Sequence, residues 1–138
     1  PREQLADMLS TVNAHVVVMG EAVNGLVHTS KVYGAIATGR PIIYIGPERS
    51  HVRDLLRLCA LSYSSEHGNV VGVVEAVKKI KSLSVEERSS AANENKSFYK
   101  SQFSAKKCFA IFSNEVLKIS DLKEKTDSRD LSENYAQP

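Results

Sequence analysis

The fold is decided by residues 15–46, which read HVVVMGEAVNGLVHTSKVYGAIATGRPIIYIG. Two apolar runs rich in β-branched residues, at 15–19 and 42–45, open and close this stretch. Each run is continuous rather than alternating, which predicts strands buried on both faces, as in a parallel sheet. Between the runs, Ser30 is placed to cap a helix, and Gly39 stands where that helix ends. A strand, a helix and a second strand in this order predict an α/β fold.

The same alternation continues on both sides of this stretch. Apolar residues at helical spacing predict helices at 2–12, 51–60 and 70–82, and a short third strand is predicted at 61–63. We therefore predict a Rossmann-like parallel sheet with flanking helices. Since complete doubly wound domains have five or six strands, we expect strands to be missing on the N-terminal side.

Beyond residue 82 the pattern is helical only. Ser84 and Glu87 form a capping-box signature, and Ser104 is placed to cap a further helix that carries apolar residues as far as Ile119. The last residues are polar with little to bury, which predicts a disordered tail at 121–138. We thus expect one domain at 1–120, followed by that tail.

Composition excludes several function classes. The chain has 138 residues, a formal net charge of +2 and 42% hydrophobic residues, which fits one globular domain and gives no argument for a nucleic-acid partner. No apolar run has the length of a membrane span, and no signal-peptide pattern opens the chain. Two widely separated cysteines, Cys59 and Cys108, are expected to be buried free thiols, which favours a reducing, cytoplasmic location.

The sequence contains no common metal-binding or phosphate-binding motif. The histidines lack the spacing of metal ligands, so we expect no metal. The chain has neither a Walker loop nor a Gly-x-Gly-x-x-Gly fingerprint, and no Ser/His/Asp or Cys/His arrangement is evident. No catalytic residue is therefore assigned. Because the chain begins without Met at an abrupt point, we expect it to be a fragment.

The loop after the first strand is the expected ligand site. Ligands of open parallel sheets bind beyond the carboxyl ends of the strands, and residues 20–29 follow the first such end. Gly25 permits close approach of the backbone, and the helix that starts at Ser30 offers free N–H groups. Lys31, in the first turn, opposes the helix dipole by about 0.3–1 kcal/mol, a cost that a bound diphosphate would offset. These features predict a phosphate site.

Each of these residues also has a structural explanation. Gly25 can be a plain turn residue, Ser30 a plain cap and Lys31 a solvated lysine. Glu21 and His28, in the same loop, are possible ligand contacts, but residues of these types in a loop are more often solvated surface groups.

The stretch from Leu5 to Phe112 resembles the C-terminal part of retaining GT-B glycosyltransferases of the group 1, or family 4, class. The motifs that carry the resemblance come in the family's order: a short strand at 13–18, Gly25, Thr29-Ser30-Lys31-Val32-Tyr33, Ala37-Thr38-Gly39-Arg40-Pro41-Ile42-Ile43, Ser50-His51-Val52-Arg53-Asp54-Leu55 and Phe103-Ser104. The run from Ser-Lys-x-Tyr to Ala-x-Gly-Arg-Pro is the most specific part of this match.

The resemblance implies that the chain binds a nucleotide sugar as substrate, without a cofactor. Backbone N–H groups of Gly25, Leu26 and Val27, together with Thr29, Ser30 and Lys31, would hold the diphosphate. The family often has a Glu-x7-Glu pattern that holds the ribose, but Leu26 and Gly34 occupy those two positions here. Nucleotide binding is therefore expected to be altered.

The resemblance also implies a function for the intact enzyme. It would transfer a sugar from a nucleoside-diphosphate donor to an acceptor in cell-envelope or polysaccharide synthesis. Members of the branch that the chain resembles act on lipid-linked or polysaccharide acceptors. The acceptor domain is absent, so the fragment is expected to be inactive; that domain would place the enzyme at the inner face of the membrane. Two alternatives stay open: a nucleotide-sugar epimerase of the same fold, and a degenerate α/β module that binds a partner without catalysis.

Overall fold

The computed structural model describes residues 4–134, and the side chains of residues 4–119. The chain divides into two compact units, residues 1–100 and residues 101–138. The elements, in chain order, are α1 (Leu5–Ser10), β1 (His15–Val18), a short 3₁₀ helix (Glu21–Val23), α2 (Lys31–Thr38), β2 (Ile42–Ile45), α3 (His51–Leu56), β3 (Ser62–Ser65), α4 (Val70–Ser82), α5 (Val85–Phe103) and α6 (Ala105–Asn134).

The described strands form a three-stranded parallel sheet in the order β1-β2-β3. His15 aligns with Ile42, and Ile42 in turn aligns with Ser62. Helices cover both faces of the central strand, so the predicted α/β fold with a parallel sheet and flanking helices is confirmed at this level. The 3₁₀ helix within the first loop was not predicted.

The two faces of β2 have separate cores. Ile42 and Tyr44 are almost fully buried in a cluster with Val32 and Ile36 of α2 and Leu56 of α3. On the opposite face, Ile43 packs against Ala76 and Ile80 of α4. The continuous apolar run at 42–45 is therefore buried on both faces, as its pattern predicts.

The prediction of burial on both faces is wrong for β1. Val17 is 3% exposed, but Val16 is 61% and Val18 is 56% exposed. The reason is topological: β1 is an edge strand, and the α4 core centres on Ile43 of β2 rather than on β1.

Helix α3 ends at Leu56, earlier than the apolar spacing predicts. A tertiary contact explains the difference. Asn95 of α5 is fully buried, and its side-chain amide accepts from the Ala60 N–H at 2.8 Å and donates to the Ala60 carbonyl at 2.9 Å. Leu61 follows with a positive φ of 52° and directs the chain into β3.

The capping box that begins α5 is present as predicted. The Glu87 N–H donates to the Ser84 hydroxyl at 3.1 Å, and the Ser84 N–H donates to the Glu87 carboxylate at 2.7 Å. That backbone bond lowers the pKa of Glu87 below its ordinary value. Two donors at the helix start are thereby satisfied.

The second unit contains the last residues of α5 and the whole of α6. The exposed apolar side chains of α6 include Phe109, Phe112 and Val116. Residues 121–134, for which composition predicts disorder, belong to α6, and residues 135–138 lie outside the described residues. Within the described part of the chain, no helix has the length and apolar character needed to cross a membrane.

Candidate functional site at the carboxyl edge of the sheet

The loops that follow the three strands meet at one edge of the sheet. Because the strands are parallel, the segments after Val18, Ile45 and Ser65 leave from the same side. The His67 ring nitrogen Nε2 lies 2.8 Å from the Met19 carbonyl and donates to it, which connects the loop after β3 to the loop after β1. This edge is where ligands of parallel sheets bind.

Helix α2 begins at this edge, as predicted. It returns the chain from the carboxyl end of β1 to the start of β2, so its N-terminus lies at the carboxyl edge. Ser30 occupies the N-cap position, but its side chain makes no capping hydrogen bond and its backbone is helical. The predicted cap is therefore correct in position and wrong in mechanism. No hydroxyl of Ser30 competes with a ligand for the amides of the first turn.

Ser50, at the start of α3, does form a cap. Its hydroxyl accepts from the Arg53 N–H at 3.2 Å and lies 2.9 Å from the Tyr44 hydroxyl. We expect Ser50→Ala to lower the free energy of unfolding by about 1–2 kcal/mol, since a helix cap and a buried partner of Tyr44 are lost. Ser30→Ala is the matched control and should change it by less than about 0.5 kcal/mol. Urea denaturation of both variants measures the difference; equal losses would contradict the assignment.

A cluster of rings joins the first loop to α3. The His28 and His51 rings stack with centroids 4.1 Å apart, and the His28 ring nitrogen Nε2 lies 2.6 Å from the Tyr33 hydroxyl. The Thr29 N–H donates to the His51 ring nitrogen Nε2 at 3.3 Å. Burial, and secondarily the nearby His28, lower the pKa of His51 below its ordinary value. The neutral form of His51 is therefore favoured in this cluster.

A cleft of about 630 Å³ lies beside this cluster, between the first loop and α3. Its volume is within the ordinary range of small-molecule sites. Asn24 helps to shape it, because its side-chain amide donates to the Arg49 carbonyl at 2.6 Å. The residues that line the cleft are Asn24, Gly25, Glu48, Arg49, Ser50, His51, Asp54 and Arg57.

Charges in the cleft balance, but they are not all paired. The Arg57 guanidinium forms ion pairs with Glu48 and Asp54, each at 3.1 Å. The exposed Arg49 guanidinium forms no ion pair with the residues whose side chains the structure describes. Arg49 is thus the cation of the cleft that is available to an anionic ligand.

The residues predicted for the phosphate site are not all in this cleft. Ser30, Lys31 and Gly34 line a separate hollow of about 470 Å³ between α1, β1 and α2. A Cβ placed on Gly34 would lie 3.4 Å from a methyl group of Leu9, so this glycine lies where α2 packs against α1. Gly34 thus belongs to a helix contact rather than to the cleft.

The remaining predicted residues lie on the loop surface. Gly25 has a positive φ of 79°, which explains a glycine there, and it lines the cleft. Leu26 is 83% exposed and Val27 is 51% exposed. Glu21 is exposed at the start of the 3₁₀ helix, whereas His28 lies in the ring cluster. Thr29 contributes the amide that His51 holds.

Sequence reasoning missed His51, Arg49 and His67 as residues of this edge. The signal was available, because each follows directly after a predicted strand or starts the next helix, where side chains of a parallel sheet converge. The absence of metal-ligand spacing at His51 and His67 carries no information about such positions, and Arg49 belongs to no recognised motif. Within the described residues, no group of three or more His, Cys, Asp and Glu side chains could hold a metal ion.

Neither cysteine is among the residues that line the cleft. Both are free; Cys59 is half-buried and Cys108 is exposed, so the expectation of two buried thiols is wrong for Cys108. Burial raises the pKa of Cys59 to about 11, which keeps it a neutral thiol near pH 7.

Comparison with protein families, with characterised proteins and with solved structures finds no match.

Proposed function

We propose that the carboxyl edge binds the diphosphate of a nucleotide sugar, and that the chain is the donor-binding part of a GT-B glycosyltransferase that transfers the sugar to an acceptor hydroxyl. The observation that carries the proposal is the start of α2. It lies at the carboxyl edge, no side chain of Ser30 caps it, and Lys31 follows in the first turn. An uncapped helix start with a nearby ammonium is suited to a phosphate group.

The neighbouring cleft supports a ligand larger than phosphate. Its volume of about 630 Å³ is sufficient for a nucleotide, and it contains Gly25 and the unpaired Arg49. In glycosyl transfer the leaving group is an anion, so cations and backbone amides aimed at it stabilise the transition state. Lys31 and Arg49 are the two cations that we assign to this role.

The test is titration of the chain with uridine, guanosine and adenosine diphosphates. Binding should perturb the backbone amide signals of Gly25, Thr29 and Lys31. Lys31→Ala should weaken binding about tenfold or more, because a charge-assisted hydrogen bond is lost. Lys78→Ala, which removes an exposed lysine from α4, is the matched control and should leave the affinity unchanged. If none of the diphosphates bound, or if the perturbed amides lay elsewhere, the proposal would fail.

A second candidate, the partner-binding α/β module without catalysis, is favoured by two observations. The two positions at which the family resemblance implies ribose-binding acids are Leu26, which is 83% exposed, and Gly34, which packs under Leu9. Neither can hold ribose hydroxyls through a carboxylate. This candidate predicts no affinity for any nucleoside diphosphate, so the same titration separates the two.

A further inference from the structure

Two histidines form hydrogen bonds to the first loop, one as a donor and the other as an acceptor. His67 donates a hydrogen bond to the Met19 carbonyl, at the beginning of the loop. His51 accepts a hydrogen bond from the Thr29 N–H, at the end of the loop. A protonated imidazole has two donors and no acceptor. Protonation therefore preserves the contact at Met19 and abolishes the contact at Thr29.

We infer that His51 is a proton-controlled clasp for the first loop. Its neutral ring holds the Thr29 end of the loop against α3. Its protonated ring releases the Thr29 amide and places a cation beside the N-terminus of α2. The inference stands on the hydrogen bond at 3.3 Å and on the His28–His51 stack at 4.1 Å, since two adjacent imidazolium rings repel one another. The release of the loop does not depend on the proposed function, but the effect of that release on ligand binding rests on the proposed function.

The other titratable or charged groups near His51 come from the first loop, α2, the turn before α3 and α3 itself. The first loop contributes His28, and α2 contributes Lys31 at its start and the Tyr33 hydroxyl, which His28 contacts. The turn before α3 contributes Glu48 and Arg49, and α3 itself contributes Asp54 and Arg57. These last four line the same cleft as His51 and are two acids and two bases. Their charges cancel formally, which leaves burial and His28 to favour the neutral ring.

The direction of the pH effect follows from linkage. Since the pKa of His51 is lowered in the folded chain, the unfolded chain binds the proton first as pH falls. The clasp therefore stabilises the loop above the ordinary histidine pKa of about 6.5, and this stabilisation is lost as pH falls from there through the lower folded value. Near pH 7 the clasp is closed.

The clasp has a direct consequence for the proposed phosphate site. The Thr29 amide is one of the groups assigned to the diphosphate, and neutral His51 occupies it. A diphosphate would bind best when His51 releases this amide and carries a positive charge. Binding should then be accompanied by uptake of up to one proton, and it should strengthen as pH falls.

The first experiment measures hydrogen-exchange protection of the Thr29 amide between about pH 5 and 8, which spans the ordinary range of histidine titration. In the unmodified chain, protection should fall roughly fivefold or more as pH drops, since one hydrogen bond is lost. His51→Phe keeps a ring against His28 but has no acceptor, so its protection should be low at every pH. His67→Gln is the control and should keep the pH dependence. Unchanged protection in the unmodified chain, or a pH dependence that survives in His51→Phe, overturns the inference.

The second experiment measures pyrophosphate binding by calorimetry in two buffers of different ionisation heat. The difference in proton uptake between the unmodified chain and His51→Phe cancels the ligand's own titration. A difference approaching one proton at pH 7 supports the linkage, and equal uptake overturns it. If pyrophosphate bound neither protein, the proposed function would be contradicted, and so would the link between ligand binding and proton uptake. The clasp itself is tested separately by the exchange measurement.

Discussion

Asn95→Ala is expected to lower the free energy of unfolding by about 2–3 kcal/mol. The fully buried Asn95 amide pairs with both backbone groups of Ala60, at 2.8 and 2.9 Å. Alanine leaves those two groups without their partners and leaves space where the amide was. The affected segment is the connection between α3 and β3, so the loss reaches the sheet as well as α5. Urea denaturation followed by circular dichroism measures the change.

The matched control is Asn93→Ala, an exposed asparagine in the same helix. It should leave the free energy of unfolding unchanged within about 0.5 kcal/mol. Asn95→Asp separates the two hydrogen bonds, because a carboxylate keeps the acceptor for the Ala60 N–H and loses the donor to its carbonyl. If Asn95→Ala were no more destabilising than Asn93→Ala, the paired hydrogen bonds would not hold this connection.

Gly39→Ala is the second substitution with a large expected effect. Gly39 ends α2 with a positive φ of 73°, which costs an alanine about 1–2 kcal/mol. A Cβ there would also lie 2.7 Å from the carbonyl oxygen and 2.8 Å from the Cα of Ala92, which are backbone atoms of α5. Backbone in the middle of a helix cannot move aside without disturbing its hydrogen bonds. We expect a total loss of about 3 kcal/mol or more.

Comparison with Gly25→Ala isolates the steric part of this effect. Gly25 has a comparable positive φ of 79°, but no atom lies within 4 Å of the position that a Cβ would take. Its substitution should cost only the conformational part, about 1–2 kcal/mol. Thermal unfolding of both variants gives the comparison. Equal losses at the two glycines would show that α5 does not approach Gly39 as closely as described.

Much of the fold could be predicted because local signals and tertiary structure agree. The run at 42–45 is continuous, and it is the central strand. Gly39 stands at the end of α2 and Ser50 at the start of α3 in the expected positions. The end of α3 could not be predicted, because it depends on Asn95, far along the chain. The exposure of β1 depends on its place at the sheet edge, which its own residues do not specify.

The candidate site was predicted less completely. The position of the first loop and of the start of α2 follows from the order of strands and helices alone. The contacts among side chains do not: His51 meets Thr29 only because two loops converge in space. Likewise, Gly34 stands at a position where the family resemblance implies a ligand contact, yet α1 packs against it, and helix packing of this kind has no local sequence signal.

The position of β1 at the edge of the sheet affects how the protein associates in solution. Val16 and Val18 project from this strand into solvent, and the described residues provide no further strand on its outer side. An edge of this kind can act as a template on which another extended chain assembles through main-chain bonding. Protein concentration therefore becomes an experimental variable, and titrations repeated at several dilutions would separate ligand effects from assembly.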